Sequence, residues 1–257
     1  MYQVDYNSYR SIEGFNLRVN SLVIHCTAEN FVDSMASLTG DSVSVQYLVP
    51  DITDESYIQA GFKSMQIFNL VDENARAWHA GESGWAGRTG INDTSIGIEI
   101  VNLATENSGI FHFPPYPAEQ ITAVKQLATN ILQRYPDITP VNVVAHSDIA
   151  PTRNSDPGPE FPWQDLYDEG VGAWFDDDIK EKYTQQFVAK GVPTRDELLA
   201  RFSTYGYDIT FANSESGYKQ LVRALQLHFR PDNYNGYIDI ETAAILYALV
   251  EKYFHPL

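Results

Sequence analysis

Cysteine is nearly missing from this sequence. Cys26 is the single one, so no intramolecular disulfide can brace the fold, and the redox compartment is left open. Positive charge is scarce as well. Only 17 Lys and Arg stand against 34 Asp and Glu, for a formal net charge of −17. A surface of that sign excludes nucleic-acid binding driven by phosphate neutralisation and counterion release. It leaves room for an uncharged or mixed-charge ligand, such as a glycan carrying a short peptide. Long apolar runs are lacking too: none approaches the roughly 20 residues a spanning helix needs, so no transmembrane segment is expected. The opening Met1-Tyr2-Gln3-Val4-Asp5-Tyr6 lacks the charged and apolar regions of a secretory signal. The protein is therefore either cytoplasmic or a mature or trimmed form of an exported one. Internal repeats and low-complexity tracts are absent.

What is present has a globular balance. Hydrophobic residues make up 44% and charged residues 20% of 257 positions, enough for one large domain or a medium one with a small companion. A short β-type run at 21–24 ends at His25, and a helix is expected around 31–38, closed by Gly40. Strands are expected at 44–49, 65–70 and 95–101; in the last, Ile96, Ile98 and Ile100 alternate with Gly97 and Glu99. Residues 118–135 carry the clearest helical period, led in by Pro117 and stopped by Pro136. A strand at 141–145 again ends in a histidine, His146. Strands interleaved with helices indicate an α/β domain over about 15–175, within a first domain taken as 1–178.

Composition shifts after that. Residues 176–192 are polar and mixed, a linker or short helix, with Asp176-Asp177-Asp178 as its exposed start. Thr194-Arg195-Asp196-Glu197 has the form of a capping box, and 218–229 and 241–254 are amphipathic. Three short helices over 185–257 are expected to make a second domain with a modest core of its own.

Two histidines at strand ends, His25 and His146, and Asp156 in the loop Ser155-Asp156-Pro157-Gly158-Pro159 can together form a three-ligand zinc site with one position open. The competing reading is a pair of histidines satisfied within the core. Glu99 lies mid-strand among isoleucines: either it faces solvent, or its face opens onto the metal and it moves protons there. His79 either lines a substrate groove or holds a loop. His112 reads as a loop residue, His228 as packed on a helix and His255 as solvated; Cys26 is expected buried and inert on the strand face opposite His25.

Several blocks, in order, carry a resemblance: Val23-Ile24-His25, Ala77-Trp78-His79-Ala80-Gly81, Asn92-Asp93-Thr94-Ser95-Ile96-Gly97-Ile98-Glu99, His146-Ser147-Asp148-Ile149-Ala150-Pro151-Thr152-Arg153, Ser155-Asp156-Pro157-Gly158-Pro159 and Phe161-Pro162-Trp163. Together they resemble the AmpD/AmiD-type N-acetylmuramoyl-L-alanine amidases, most nearly the two-domain AmiD branch, over essentially the whole chain. The resemblance implies a central mixed sheet flanked by helices with a surface zinc groove, His25, His146 and Asp156 as zinc ligands, and Glu99 as the catalytic glutamate. It further implies a peptidoglycan or muropeptide substrate cut between N-acetylmuramic acid and L-alanine, with Trp78, His79 and Arg153 toward the substrate. Tyr205-Gly206-Tyr207-Asp208, His228-Phe229-Arg230-Pro231 and Tyr234-Asn235-Gly236 look like parts of a peptidoglycan-binding three-helix domain. One departure stands out: Asn154 occupies the position of a family lysine that stabilises charge on the carbonyl oxygen. The alternative function is a non-catalytic peptidoglycan-recognition protein. A bacterial envelope location is expected, in the periplasm or as an outer-membrane lipoprotein whose signal this chain lacks, with the cytoplasm as alternative and a monomer favoured.

Overall fold

The apolar run Leu22-Val23-Ile24 forms the middle of β1 (Ser21–Cys26), which is buried along its whole length in the computed structural model. The structure describes residues 2–107 and 110–254. After β1 come α1 (Phe31–Leu38), β2 (Tyr47–Val49), α2 (Glu55–Gln59) and β3 (Phe68–Asn69). An antiparallel pair, β4 (Gly84–Trp85) with β5 (Arg88–Thr89), precedes β6 (Ser95–Ile100). A second pair, β7 (Thr105–Asn107) with β8 (Ile110–His112), precedes the long α3 (Ala118–Arg134). The chain ends in β9 (Val143–Ala145), α4 (His146–Ile149), α5 (Trp163–Asp168), α6 (Asp177–Lys190), α7 (Arg195–Tyr205), α8 (Glu215–Phe229) and α9 (Ile240–Phe254).

The central sheet runs β3-β2-β6-β1-β9. β2, β6, β1 and β9 are parallel and β3 is antiparallel at the edge, so the sheet is mixed, as expected. Side-chain alternation sorts its two faces. Leu22 and Ile24, the isoleucines of β6, and Val143 and Ala145 join Val124, Leu127 and Ile131 of α3 in one core. Val23 and Val144 join the other, with Trp85, Ile149, Phe202, Leu225 and Leu249. Both faces are covered, which is why β6 is buried at every position but the half-buried Glu99.

Several elements differ from expectation. The strand foreseen at 44–49 starts only at Tyr47, because Ser44 is tied into a loop: its N–H donates to Trp78 O at 3.2 Å, and its Oγ accepts from Trp78 N at 3.0 Å. β3 keeps 2 residues of 65–70. Pro140–Asn142 form a 3₁₀ turn, delaying β9 to Val143. The polar stretch foreseen as linker or short helix is the 14-residue α6. Phe187 fixes its inner face, while Tyr183 and Lys182 donate to Glu251 of α9 at 2.6 and 2.8 Å. The three helices expected beyond Thr194 are α7, α8 and α9, and α6 precedes them in the stretch expected as linker or short helix. The capping box is present: Thr194 N donates to Glu197 Oε2 at 2.8 Å and Thr194 caps Glu197 N.

The C-terminal helices share their core with the sheet. Phe187, Leu198, Phe202, Leu221 and Leu246 cluster with Val23, Ala80, Trp85, Val144 and Ile149. Trp85 also forms a β-bridge to Tyr207, and Ala86 N donates to Gly206 O at 2.6 Å. Gly206 is needed there twice over: its φ is +137°, and a Cβ would lie 2.8 Å from the Trp85 ring.

Candidate metal centre

Parallel registry places the first two groups. His25 of β1 pairs with Glu99 of β6, so both point to one face of the sheet. Ile24 pairs with Ala145 of β9, so His146, next along, comes beside His25; the ring centroids are 4.4 Å apart. The loop after α4 then folds back, with Ser147 N donating to Asp156 O at 3.0 Å. Asp156 Oδ2 ends 3.2 Å from His146 Nδ1 and 3.3 Å from His25 Nδ1. One ligand atom from each of the three residues lies within 4.8 Å of the others. His25 Nδ1 and His146 Nε2 are sealed from solvent and make no hydrogen bond. Two imidazoles and a carboxylate that close together, with orphaned ring nitrogens, form a site able to hold a metal ion.

The electrostatics suit that role. Burial, and then neighbouring His146, push the His25 imidazole down to about 4, leaving it neutral as a ligand must be. Burial alone would raise Asp156, but His146 and His25 outweigh it and hold the carboxyl well below the usual range. Glu99 moves the other way. Burial pushes its carboxyl well above the ordinary value, and the Asp156 and Glu29 carboxylates add to that. Its Oε2 is sealed and unpartnered. A poised carboxyl beside a metal cluster can take up and return a proton.

The remaining sequence candidates separate. Trp78 is exposed at 52%, whereas His79 turns inward, its Nδ1 2.9 Å from His25 Nε2. Burial, then His25 and His146, hold the His79 imidazole well below its usual value. Arg153 is spent on a loop: its guanidinium donates to Ala80 O at 3.3 Å and to Glu82 O. Asn154 Nδ2 donates to Asp156 Oδ1 at 3.3 Å, which leaves Oδ2 turned to the histidines. Cys26 is buried on the opposite face, its thiol pushed up by burial and then by Asp156, which disfavours the thiolate. His112 is exposed and His228 buried; His255 lies outside the described residues.

Sequence reasoning missed the groups that brace the site. Asp148 accepts from Ala145 N at 2.8 Å, Tyr207 OH at 2.7 Å and His228 Nδ1 at 2.7 Å. It thereby ties α4, which carries His146, to the C-terminal helices. Tyr116 OH donates to Pro157 O at 2.7 Å and holds the Asp156 loop. Contacts between residues so distant in sequence leave no local spacing to read. Only Pro114-Pro115-Tyr116-Pro117, a stiff approach to α3, offered a hint.

Known proteins share this fold. The sequence profile described as N-acetylmuramoyl-L-alanine amidase matches residues 15–159. The chain is 43% identical over 253 residues to N-acetylmuramoyl-L-alanine amidase AmiD of Escherichia coli, spanning 98% of this chain and 89% of that protein. The crystal structure of AmpDh3 from Pseudomonas aeruginosa superposes with a TM-score of 0.96 at 55% identity, covering 98% of this chain and 99% of that one; it has also been solved in complex with anhydromuramic pentapeptide. The E. coli AmiD structure superposes with a TM-score of 0.86 at 42% identity, covering 98% of this chain and 95% of that one. It holds anhydro-N-acetylmuramic acid-L-Ala-D-gamma-Glu-L-Lys.

Proposed function

The chain belongs to the N-acetylmuramoyl-L-alanine amidase family, and from that premise we propose that it hydrolyses the muramoyl–L-alanine amide of muropeptides or peptidoglycan with zinc held by His25, His146 and Asp156 and with Glu99 as proton carrier. The observation that carries this reading is the registry of His25 with Glu99 beside His146 and Asp156. That registry, together with the His25–His146–Asp156 group, supports a three-ligand metal site with a protonatable carboxyl on the His25 face of the sheet. Zinc, when bound, supplies a Lewis acid that polarises the scissile carbonyl and makes water a stronger acid.

The chain's own groups do the rest. Glu99 accepts a proton from the attacking water and returns it to the L-alanine nitrogen as the C–N bond breaks, so that the amine leaves neutral. Asn154, through Asp156 Oδ1, fixes which carboxylate oxygen meets the imidazoles. Trp78, exposed next to His79, offers an apolar face to the substrate. Arg153 acts at one remove, by fixing the Ala80–Glu82 backbone.

Incubation with a purified anhydro-muropeptide, followed by mass analysis, tests the activity. Free peptide together with an unsubstituted anhydro-muramic sugar is expected. Cleavage within the peptide marks an endopeptidase instead, and an intact ligand that stays bound marks a recognition protein.

A further inference from the structure

His79 is a positioning residue for the metal, and it rests on the metal reading above. We propose that His79 and Ser95 form a buried relay that fixes the His25 tautomer, keeping the proton on Nε2 and the Nδ1 lone pair bare before any metal arrives.

The argument follows the hydrogens one at a time. Ser95 Oγ lies 2.7 Å from Ile91 O, an acceptor only, so its one proton goes there. Toward His79 Nε2, 3.2 Å away, Ser95 is therefore the acceptor, and His79 carries its proton on Nε2. A neutral imidazole has one N–H, so His79 Nδ1 accepts. The group 2.9 Å from it is His25 Nε2, which must donate. That leaves His25 Nδ1, the nitrogen 3.3 Å from Asp156 Oδ2 and otherwise orphaned, as the lone pair. Had the relay run the other way, His25 would present an N–H to the ligand cluster and would have to move that proton from Nδ1 to Nε2 before binding.

The fold secures His79 in this post. Its backbone N–H and that of Ala80 both donate to the buried Asn92 Oδ1, at 3.0 and 2.8 Å. Gly97 makes room for the ring: a Cβ there would sit 2.8 Å from His79 Cγ. The gap in β6 and the pinned loop hold the imidazole against His25 and Ser95. Partners of ligand imidazoles generally matter roughly 10–100-fold in metal affinity.

Two measurements on the full chain test this. Nitrogen-15 shifts of the imidazoles in the metal-free protein should show His79 and His25 each protonated at Nε2 and bare at Nδ1; a proton on Nδ1 of either ring overturns the relay. Zinc affinity, read by competition with a chromogenic chelator, should fall about 10-fold or more in His79→Leu. It should recover in large part in His79→Asn, whose side-chain oxygen can take the place of Nδ1. Equal affinity in wild type and His79→Leu, with both binding zinc, overturns the proposal. Absence of zinc binding by the wild type strikes the metal reading instead, while the shifts, taken without metal, still decide the relay.

Discussion

Glu99 sets how the site should respond to pH. Burial, then Asp156, then Glu29 raise its carboxyl, so Glu99 keeps its own proton to a higher pH than an ordinary carboxylate would. The base works deprotonated, so kcat/KM should fall as pH drops through the Glu99 titration. Glu29→Gln removes one of the negative neighbours, favours the ionised form and should move that acid limb to lower pH; a limb that stays put removes Glu29 from the account. Asn154 poses a second residue-scale question. Its amide reaches Asp156, not an open space. Asn154→Lys should raise kcat more than it lowers KM, because a cation near the carbonyl oxygen favours the charged intermediate over the bound substrate. The same change gives up the contact to Asp156, so zinc should bind more weakly. Unchanged kcat with zinc fully bound means that another group already stabilises the oxyanion.

At the scale of elements, the legible parts were those with a strong local signal. The run 22–24, the period of α3 between Pro117 and Pro136, and the Thr194 capping box all stand in the structure. The starts of β2 and β9 were not legible, since loop pairing by Ser44 and the turn at Pro140 set them. Nor was α6, whose polar surface hides a single buried Phe187. For His25, His146 and Asp156, strand ends and a proline-stiffened loop left two readings open, and the family resemblance grouped the three residues that the structure brings together. Asp148 was not, because its role depends on Tyr207 and His228 arriving from far along the chain. Its importance is testable at α4. Asp148→Ala leaves Tyr207 OH, His228 Nδ1 and Ala145 N without an acceptor in a buried place, which should cost about 3 kcal/mol in denaturant unfolding and loosen His146's hold on zinc. Wild-type stability in that variant means the three donors find other partners.

Over the whole molecule, the sheet face that bears His25 and Glu99 is also the face covered by α6 to α9. Removing everything from Asp177 onward uncovers Val23, Trp85, Val144 and Ile149 and strips Tyr207 and His228 from Asp148. The fragment should melt well below the full chain or fail to fold; a fragment that melts with the full chain and turns over small muropeptides would show the two parts to be independent. The central claim joins metal and carboxyl on one face: three residues hold zinc, and Glu99 moves protons without holding it. Glu99→Gln decides this most directly, with zinc content and muropeptide turnover measured on the same sample. The account predicts wild-type zinc with turnover lowered by roughly 100-fold or more. Lost zinc would make Glu99 a ligand, and retained turnover would leave the reaction without its proton carrier; either result contradicts the account.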